Sequence, residues 1–399
     1  MTSTSEQSED VIPSSFRAAL PALFFLSFLF LLNFTSRVIF APLLPLISGE
    51  LGLTHADSGS FFLCISSGYF VSILLSGHVS ARIDHKHTIA FSSVASGVML
   101  FVISTCSSLL SLRFGLFGLG AAAGLYLPSG LATIIHLVPP AYMARGMAVH
   151  ELAPNAAFVL TPLLCAVSLS FVSWRTGLEI FAVMLVCMGV LFHIYGRAST
   201  GKGTIPKFTT LKQVLKLPRF WLVTIMFSMA ICSTLGIYAM LPLFLVSEHG
   251  MDVEHANTLV AFSRIGSVGM PLLGGWIGDK LGNQRVMGVV LLSTGVLTIP
   301  IGLSDGWLMI GLVVVQPMVA VCFFPSAFAV LSKIGATKDK NVAVSLCIPL
   351  AFLCGGGILP TIIGTVGDYS SLGAGITTAG GLMVLASICS PVLLKSKNC

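Results

Sequence analysis

Twelve long apolar segments, separated by short polar stretches, dominate this chain. Each is long enough to cross the hydrocarbon core of a bilayer, which takes about 20 helical residues. Only 9% of the residues are charged, whereas a soluble domain typically carries about 25%. The pattern therefore predicts an all-α membrane protein with twelve transmembrane helices and excludes a soluble fold. The segments cover roughly 18–47, 58–80, 88–107, 110–137, 143–172, 174–196, 220–247, 255–279, 286–304, 307–334, 341–367 and 372–394.

The basic residues favour one orientation of these segments. With the N-terminus in the cytoplasm, every lysine and arginine except Arg37, Arg113, Arg175 and Arg264 falls on the cytoplasmic side, in a loop, in a tail or at the end of a segment. Cytoplasmic loops of membrane proteins are enriched in Lys and Arg. We therefore expect both termini in the cytoplasm, and the compact loops favour a bacterial inner membrane. The net charge of +6 follows from the same bias and does not indicate a nucleic-acid partner.

The longest polar stretch, residues 197–219, separates the segments into two sets of six. It predicts a linker between two domains of similar size. The expected division is a cytoplasmic N-terminal tail (1–17), an N-terminal six-helix bundle (18–196), the cytoplasmic linker (197–219), a C-terminal six-helix bundle (220–394) and a cytoplasmic C-terminal tail (395–399).

The two sets of segments also resemble each other. They align at an offset of 198 residues, with matches that include Ile39 with Ile237, Glu50 with Glu248, Gly68 with Gly266, and Gly77 with Gly275. Matches in this number and order indicate a duplicated six-helix unit. Such repeats are common in secondary transporters, which bind their substrate between the repeats near the middle of the bilayer.

A polar cluster follows the eighth segment, and a weaker copy of it follows the second. Their sequences are GGWIGDKLGNQR at 274–285 and SGHVSARIDHKH at 76–87. The first resembles the loop signature of the major facilitator superfamily at Gly275, Asp279, Lys280, Gly282 and Arg285. The resemblance implies the fold of that superfamily, two pseudo-symmetric six-helix bundles. It also implies transport by alternating access in a protein that is usually a monomer.

In that superfamily the cluster latches the two halves in one conformation. Gly275 is expected to let two helices approach closely. Because an acid at the C-terminus of its own helix is unfavourable, Asp279 is expected to face the N-terminus of another helix. The resemblance implies that this is the start of the fifth segment, near Arg145. Lys280 and Arg285 complete the latch.

The first-half copy of this cluster departs from the pattern. It contains Gly77, Arg82 and Asp84, but Ala81 replaces the acid and Asp84 occupies the usual glycine position. The sequence leaves three interpretations open. This copy is a weaker latch, a latch in which Asp84 substitutes for the acid, or an anchor formed by positive charge alone.

Two arginines within the apolar segments are the main candidates for a substrate site. A charge at the centre of a membrane helix costs about 2.5–3.5 kcal/mol, so such residues are functional candidates. The repeat places Leu235 opposite Arg37 and Ser66 opposite Arg264, so the fold requires neither arginine. We interpret the pair as an anion site, with Asn33 one turn before Arg37. The alternative is that a local acid or backbone carbonyls neutralise each arginine.

The fifth segment contains a second polar group, His150, Glu151 and Asn155. The equivalent residues of the other half are Ser345, Leu346 and Leu350. Either His150 or Glu151 could bind a proton that travels with the substrate. Asn155 lies on the same face as Glu151 and is a substrate-binding candidate, as are Tyr126 and Gln316 in the segments that line the superfamily's cavity. The alternatives are a gate contact between Glu151 and Arg145, and packing roles for the others.

These observations favour a proton-coupled secondary transporter of a small anion, with a carboxylate as the favoured substrate. The partners are then the anion, protons and the lipid bilayer, and no nucleic acid. An anion exchanger without a proton step, an efflux pump for drug-like compounds and a non-transporting receptor or scaffold are the alternatives. No phosphate-binding loop for ATP is present, and no nucleophile–base pair has convincing spacing. We therefore expect neither a cofactor nor an enzymatic activity, and no metal site.

Overall fold

A computed structural model describes residues 15–199, 201, 208–334 and 340–390 of the chain. Most of the 1–17 tail, the whole 395–399 tail and part of the 197–219 linker lie outside these residues. Within the described ranges every regular element is helical. The prediction of an all-α fold is thus confirmed.

The helices follow the twelve predicted segments, and we number them α1 to α12. Helices α2 and α3 are the two parts of His55–Ser104, before and after Asp84, and α8 consists of Val253–Ile265 and Met270–Leu281. The short helix Phe208–Leu215 lies in the linker. The remaining helices are α1 (Phe16–Leu51), α4 (Leu109–Leu137), α5 (Pro140–Ser168), α6 (Trp174–Tyr195), α7 (Pro218–Ser247), α9 (Asn283–Ile301), α10 (Gly306–Leu331), α11 (Ala343–Tyr369) and α12 (Leu372–Ser387).

Nine helices in the described part of the chain are long and apolar enough to cross a membrane. One of them, His55–Ser104, has 50 residues and changes direction at Asp84, so it supplies two crossings. The interrupted helix α8 and the shorter α12 complete the predicted twelve. The twelve helices form the two six-helix bundles expected from the sequence.

Several helices are interrupted at positions related by the repeat. Helix α1 is broken at Ile39, and α7 contains a π-helical turn at Cys232–Gly236, just before the equivalent Ile237. Helix α11 contains a second π turn at Cys354–Ile358. π turns leave backbone groups outside the regular hydrogen-bonding pattern and are frequent at functional sites.

The turn between α2 and α3 gives the repeat a direct structural test. Asp84 has φ 62° and ψ 174°, and Gly282, its repeat partner between α8 and α9, has φ 90° and ψ 123°. Both residues therefore occupy backbone conformations that favour glycine. Asp84 takes up the glycine position that the sequence assigned to it, and its carboxylate accepts the backbone N–H of His87 at 2.9 Å.

We expect Asp84→Gly to stabilise the protein by about 1 kcal/mol. A non-glycine residue in this region stores about 1–3 kcal/mol of strain, and losing the two hydrogen bonds to the exposed His87 offsets about 1 kcal/mol of the gain. Asp84→Ala is the matched control, because it loses the same carboxylate and keeps the strain. In thermal unfolding measured in detergent, Asp84→Gly should have a higher midpoint than wild type, and Asp84→Ala a lower one. The reverse order would contradict the claim that Asp84 is strained.

The two bundles are braced in the same way at the end opposite the start of α1, which we call the distal end. In the first half, Glu50 accepts hydrogen bonds from Trp174 Nε1 and Arg175 Nη1, both at 2.6 Å. In the second half, Glu248 accepts the backbone N–H groups of Leu372 and Gly373 at the start of α12. The offset of 198 residues relates all three members of the two braces. The duplication predicted from the sequence therefore extends to specific contacts.

Between described residues, the hydrogen bonds that join the two bundles lie toward the distal end. The Asp368 carboxylate accepts the backbone N–H groups of His55 and Ala56 at 2.7 and 2.9 Å, and Asn257 donates to the carbonyl of Pro42 at 3.2 Å. Further along α2 and α11, the rings of Tyr69 and Phe352 are in contact, 5.8 Å apart. The described structure is therefore closed at the distal end.

Candidate functional site

A row of aromatic side chains, interrupted once by the side chain of Arg37, crosses the boundary between the two bundles, and we call it the aromatic seam. Phe34 contacts Phe158 at 5.2 Å between ring centroids, and Phe158 contacts Tyr238 of the second bundle at 4.9 Å. Both contacts are edge-to-face, a favourable arrangement for aromatic rings. The seam consists of Phe30, Phe34, Tyr69, Phe158, Tyr238 and Phe352, and both candidate arginines lie on it.

Arg37 lies on the seam just before the break in α1. Its guanidinium carbon is 4.2 Å from the ring centroid of Tyr69 and 4.8 Å from that of Phe34. The side chain is buried, and its Nε has no hydrogen-bond partner among the described residues. A cavity of about 20 Å³ beside it is lined by both bundles, including Ser66 and Leu235. Arg37 therefore faces the second bundle.

Arg264 reaches the same seam from α8 in the second bundle. Its guanidinium carbon is 5.0 Å from the ring of Phe158 and 5.1 Å from that of Tyr238. Its Nη2 donates to the carbonyl oxygen of Thr234 at 2.8 Å, within the π turn of α7. Its Nε and the Tyr238 hydroxyl are buried without a partner in the described ranges. Each arginine thus contacts rings and keeps unused donors.

No carboxylate within the described ranges forms an ion pair with Arg37 or Arg264. The alternative of neutralisation by a local acid therefore does not hold there. The alternative of backbone carbonyls applies only to Nη2 of Arg264. Cation–π contacts supply about 0.5–2 kcal/mol each, whereas burying an unpaired charge costs several kcal/mol. The two guanidinium groups can therefore gain from a negatively charged ligand between the bundles.

The second polar group continues along the first-bundle part of the seam. His150 is fully buried, and its ring stacks on Phe30 at 4.2 Å. Its Nε2 lies 3.3 Å from the Tyr126 hydroxyl, which donates to the carbonyl of Leu26 at 2.7 Å. Its Nδ1 lies 3.6 Å from the carboxylate of Glu151, whose side chain is 55% exposed. Nδ1 has no hydrogen-bond partner in the described ranges, so the half-exposed carboxylate of Glu151 lies beside an unsatisfied buried nitrogen.

The Glu151 side chain does not form the predicted gate contact with Arg145 in this conformation. Arg145 lies over the ring of Tyr142 at 5.4 Å and pairs with no carboxylate among the described residues. The Glu151 carboxylate lies instead 3.6 Å from Nδ1 of His150.

The predicted polar ligands Asn33, Asn155 and Gln316 use their amide donors within their own bundles. Asn33 Nδ2 donates to the Ser92 hydroxyl and the carbonyl of Ala123, and Asn155 Nδ2 donates to the carbonyl of Glu151. Gln316 Nε2 donates to the Ser233 carbonyl and to Thr298. Of the buried polar atoms of these three side chains, only Oδ1 of Asn33 has no hydrogen-bond partner in the described part of the chain.

The predicted latch residues do not join the bundles in this conformation. Asp279, Arg285 and Arg82 are exposed, Gly77 is half-buried, and Lys280 lies over the ring of Trp276 at 4.0 Å. Asp279 forms no hydrogen bond or ion pair with another described residue. Among the described residues, the latch residues thus make no contact between the bundles, as expected when the bundles meet at the distal end instead.

The expectation that Gly275 lets two helices approach closely is wrong. The close approach occurs on the adjacent face of α8. A Cβ atom at Gly275 would lie 3.6 Å from Pro325, an ordinary contact. A Cβ atom would lie 2.6 Å from the Cys322 carbonyl oxygen at Gly274, and 2.4 Å from the Ser326 hydroxyl at Gly278. Gly274 and Gly278 are one turn apart, and they bring α8 against α10.

Asp368 caps a helix of the other bundle and was not among the candidate residues from the sequence. Thr54 and Asp57 form a capping box at the start of α2, which satisfies some of its free N–H groups. Asp368 accepts two more, those of His55 and Ala56. Nothing in the sequence pairs Asp368 with that helix, which lies 313 residues away along the chain.

We expect Asp368→Asn to loosen the distal closure. The carboxylate is stabilised by two backbone donors and by the dipole of α2, worth about 1 kcal/mol together, so the open population should rise about fivefold. Hydrogen–deuterium exchange of residues 52–62 should then become faster. Glu248→Gln is the matched control, because Glu248 caps a helix of its own bundle and should leave that exchange unchanged. Unchanged exchange in Asp368→Asn would contradict the proposed closure.

Known proteins resemble this chain both in sequence and in fold. The sequence profile of the Major Facilitator Superfamily matches residues 26–300 and, in a second match, 239–398. The membrane sensor protein UhpC of Salmonella typhimurium is 25% identical over 328 residues, 75% of this chain and 72% of that protein. The probable sulfoacetate transporter SauU of Cupriavidus necator is 21% identical over 273 residues, 64% of this chain and 61% of that protein.

The fold also matches solved structures over nearly its whole length. A bacterial homologue of the human lysosomal transporter Spinster, in an inward-facing and unoccupied conformation, superposes with a TM-score of 0.81. The two are 15% identical, and the match covers 96% of this chain and 99% of that one. At this identity the likeness concerns the fold alone.

Proposed function

We infer that this chain, which belongs to the major facilitator superfamily, transports a small anion across its membrane by alternating access. Membership makes the chain an integral, multi-pass membrane protein and supports secondary transport, not an enzymatic activity. The anion, its coupling to protons and a bacterial inner-membrane location are our proposal. A carboxylate is the favoured substrate.

One observation supports the anion most strongly: Arg37 and Arg264 are both buried at the boundary between the bundles without an acid among the described residues. An arginine fork matches a carboxylate, sulfonate or phosphate in a bidentate geometry. The aromatic rings fix each guanidinium group but leave its Nε free. Because the arginines come from different bundles, an anion that binds both would favour a state in which the bundles are close together.

The name of SauU agrees with this proposal, since sulfoacetate carries a carboxylate and a sulfonate. Efflux of uncharged drug-like compounds is disfavoured, because such compounds would leave both guanidinium groups uncompensated. An exchanger without a proton step would use the same two arginines, so the choice between exchange and symport depends on α5.

We propose that Glu151 and His150 bind the coupled proton. Glu151 is exposed to solvent, and its carboxylate lies 3.6 Å from the buried imidazole of His150. The imidazole stacks on Phe30, which contacts Phe34 of the seam at a centroid distance of 6.4 Å. A proton entering at Glu151 would therefore change the charge close to the anion site. A net anion charge is most easily moved across a membrane when a proton accompanies it.

The test is uptake of labelled anions by the full chain in liposomes, with and without an inward proton gradient. The panel includes mono- and dicarboxylates, a sulfonate, nitrate and phosphate. We expect wild-type protein to accumulate a carboxylate only with the gradient. Glu151→Gln should abolish accumulation while keeping exchange across equal pH. Glu179→Gln is the matched control, since Glu179 binds Ser104 within its own bundle. Full proton-driven accumulation by Glu151→Gln would contradict its role.

The relative UhpC supports a second candidate function, a sensor that binds an anion without transporting it. That protein is named a membrane sensor and matches 75% of this chain. The same pair of arginines would serve such a binding site. Anion binding measured by calorimetry, in a preparation that shows no flux for any member of the panel, would favour the sensor over the transporter.

A further inference from the structure

A groove lined by α3 and α6 lies outside the seam, on the first bundle. It has a volume of about 680 Å³ and runs between the α2–α3 turn, the first turns of α3 and the last turns of α6. These elements lie at the end of the molecule opposite the distal end. We call this surface the proximal groove.

The floor of the proximal groove is apolar and faces away from the bundle. Phe91, Val94 and Val190 line it, and the side chains of Phe91 and Val190 are 54% and 45% exposed. Gly189 gives it depth, because a Cβ atom there would lie 2.9 Å from Val94 and 3.0 Å from Ser93. These residues belong to membrane-spanning segments, so their exposed surface faces acyl chains.

The mouth of the groove is basic. Arg82, His87 and His193 line it, and the two imidazole rings are 5.1 Å apart. The only acid in the lining, Asp84, uses both carboxylate oxygens on His87, at 2.9 Å to its backbone N–H and 2.7 Å to Nδ1. Arg82 forms no ion pair with any described residue. The mouth therefore offers positive charge and N–H donors at the level where a membrane helix leaves the lipid.

We propose that the proximal groove binds one anionic phospholipid, with its phosphate at Arg82 and His193 and an acyl chain along Phe91, Val94 and Val190. A basic mouth above an apolar floor complements a molecule with an anionic head and an apolar chain. Basic pockets at the ends of membrane helices favour such head groups. The second bundle differs, because the repeat partner of Arg82 is Lys280, which stacks on Trp276. The site is therefore specific to the first bundle.

The test is native mass spectrometry of the full chain, purified in a neutral detergent and incubated with equal amounts of phosphatidylglycerol and phosphatidylcholine. We expect wild-type protein to retain one phosphatidylglycerol in preference to phosphatidylcholine. The double variant Arg82→Ala, His193→Ala should bind about tenfold less phosphatidylglycerol. Lys280→Ala is the matched control and should bind as wild type does.

A second variant separates the groove from its charge. Val190→Trp fills the floor and keeps every basic residue, so it should also lose the bound lipid while its thermal unfolding stays near that of wild type. Wild-type retention of phosphatidylglycerol in both variants would overturn the proposal. So would complete displacement of the lipid by millimolar inorganic phosphate, because that result would assign the site to a free anion.

Discussion

Replacement of Arg264 by alanine is expected to lower kcat/KM for anion transport by roughly 30-fold to a few thousand-fold. Removing one member of a buried, hydrogen-bonded charge interaction costs about 2–5 kcal/mol, and each 1.4 kcal/mol is a factor of ten. The loss should appear for every transported anion, because Arg264 is buried on the aromatic seam and has no carboxylate partner in the described ranges. Initial rates of labelled-anion uptake in liposomes measure it.

Two further variants distinguish the anion site from a structural role. Arg264→Lys keeps the charge and loses the planar fork, so it should recover part of the rate but not the affinity. Arg113→Ala is the matched control, because Arg113 is satisfied at the distal end by Asp57 at 2.8 Å and Ser60 at 3.0 Å. A half-exposed pair of that kind contributes at most about 1 kcal/mol. Transport by Arg264→Ala at the wild-type kcat/KM would rule out the anion site.

Much of the fold could be predicted because the chain contains two copies of one six-helix unit. The apolar segments gave the twelve helices, and the offset of 198 residues placed Asp84 on Gly282 and Glu50 on Glu248. The structure shows a glycine-like backbone at the first pair and equivalent braces at the second. Differences between the halves were as informative as matches, since Leu235 and Ser66 opposite the two arginines marked them as candidates for function.

The contacts of individual side chains could not be predicted in the same way. Helical periodicity placed Asn33 and Arg37 on one face of α1, yet Asn33 bonds to α3 and α4 while Arg37 packs on α2. Neighbouring positions on one face can contact different helices, and a sequence pattern does not say which. The same limit explains why the sequence predicted a close helix contact at Gly275, whereas the structure has it at Gly274. The motif identifies a stretch of helix but not the face of that helix that contacts its neighbour.

The distal closure was unpredictable because it depends on which conformation the bundles adopt. It joins Asp368 to the start of α2, and α2 packs against α11 through glycine. A Cβ atom at Gly364 would lie 2.1 Å from the carbonyl oxygen of His55, and one at Gly59 would lie 2.5 Å from that of Pro360. The obstructing atoms belong to the backbone, so no side-chain rotation can make room. Closure at this end therefore requires glycine on both helices.

Gly364→Ala is accordingly expected to prevent distal closure and to lower transport at least tenfold. Overpacking of this kind costs about 1–3 kcal/mol, and only the distally closed state bears it, so the cycle stalls with that end open. Hydrogen exchange of residues 52–62 should become faster, as in Asp368→Asn but to a greater extent. Gly381→Ala on α12 is the matched control, because a Cβ atom there meets nothing within 4 Å. If Gly364→Ala transports at the wild-type rate and its exchange is unchanged, the α2–α11 contact is not a gate. Slow transport with unchanged exchange would instead assign Gly364 to packing alone.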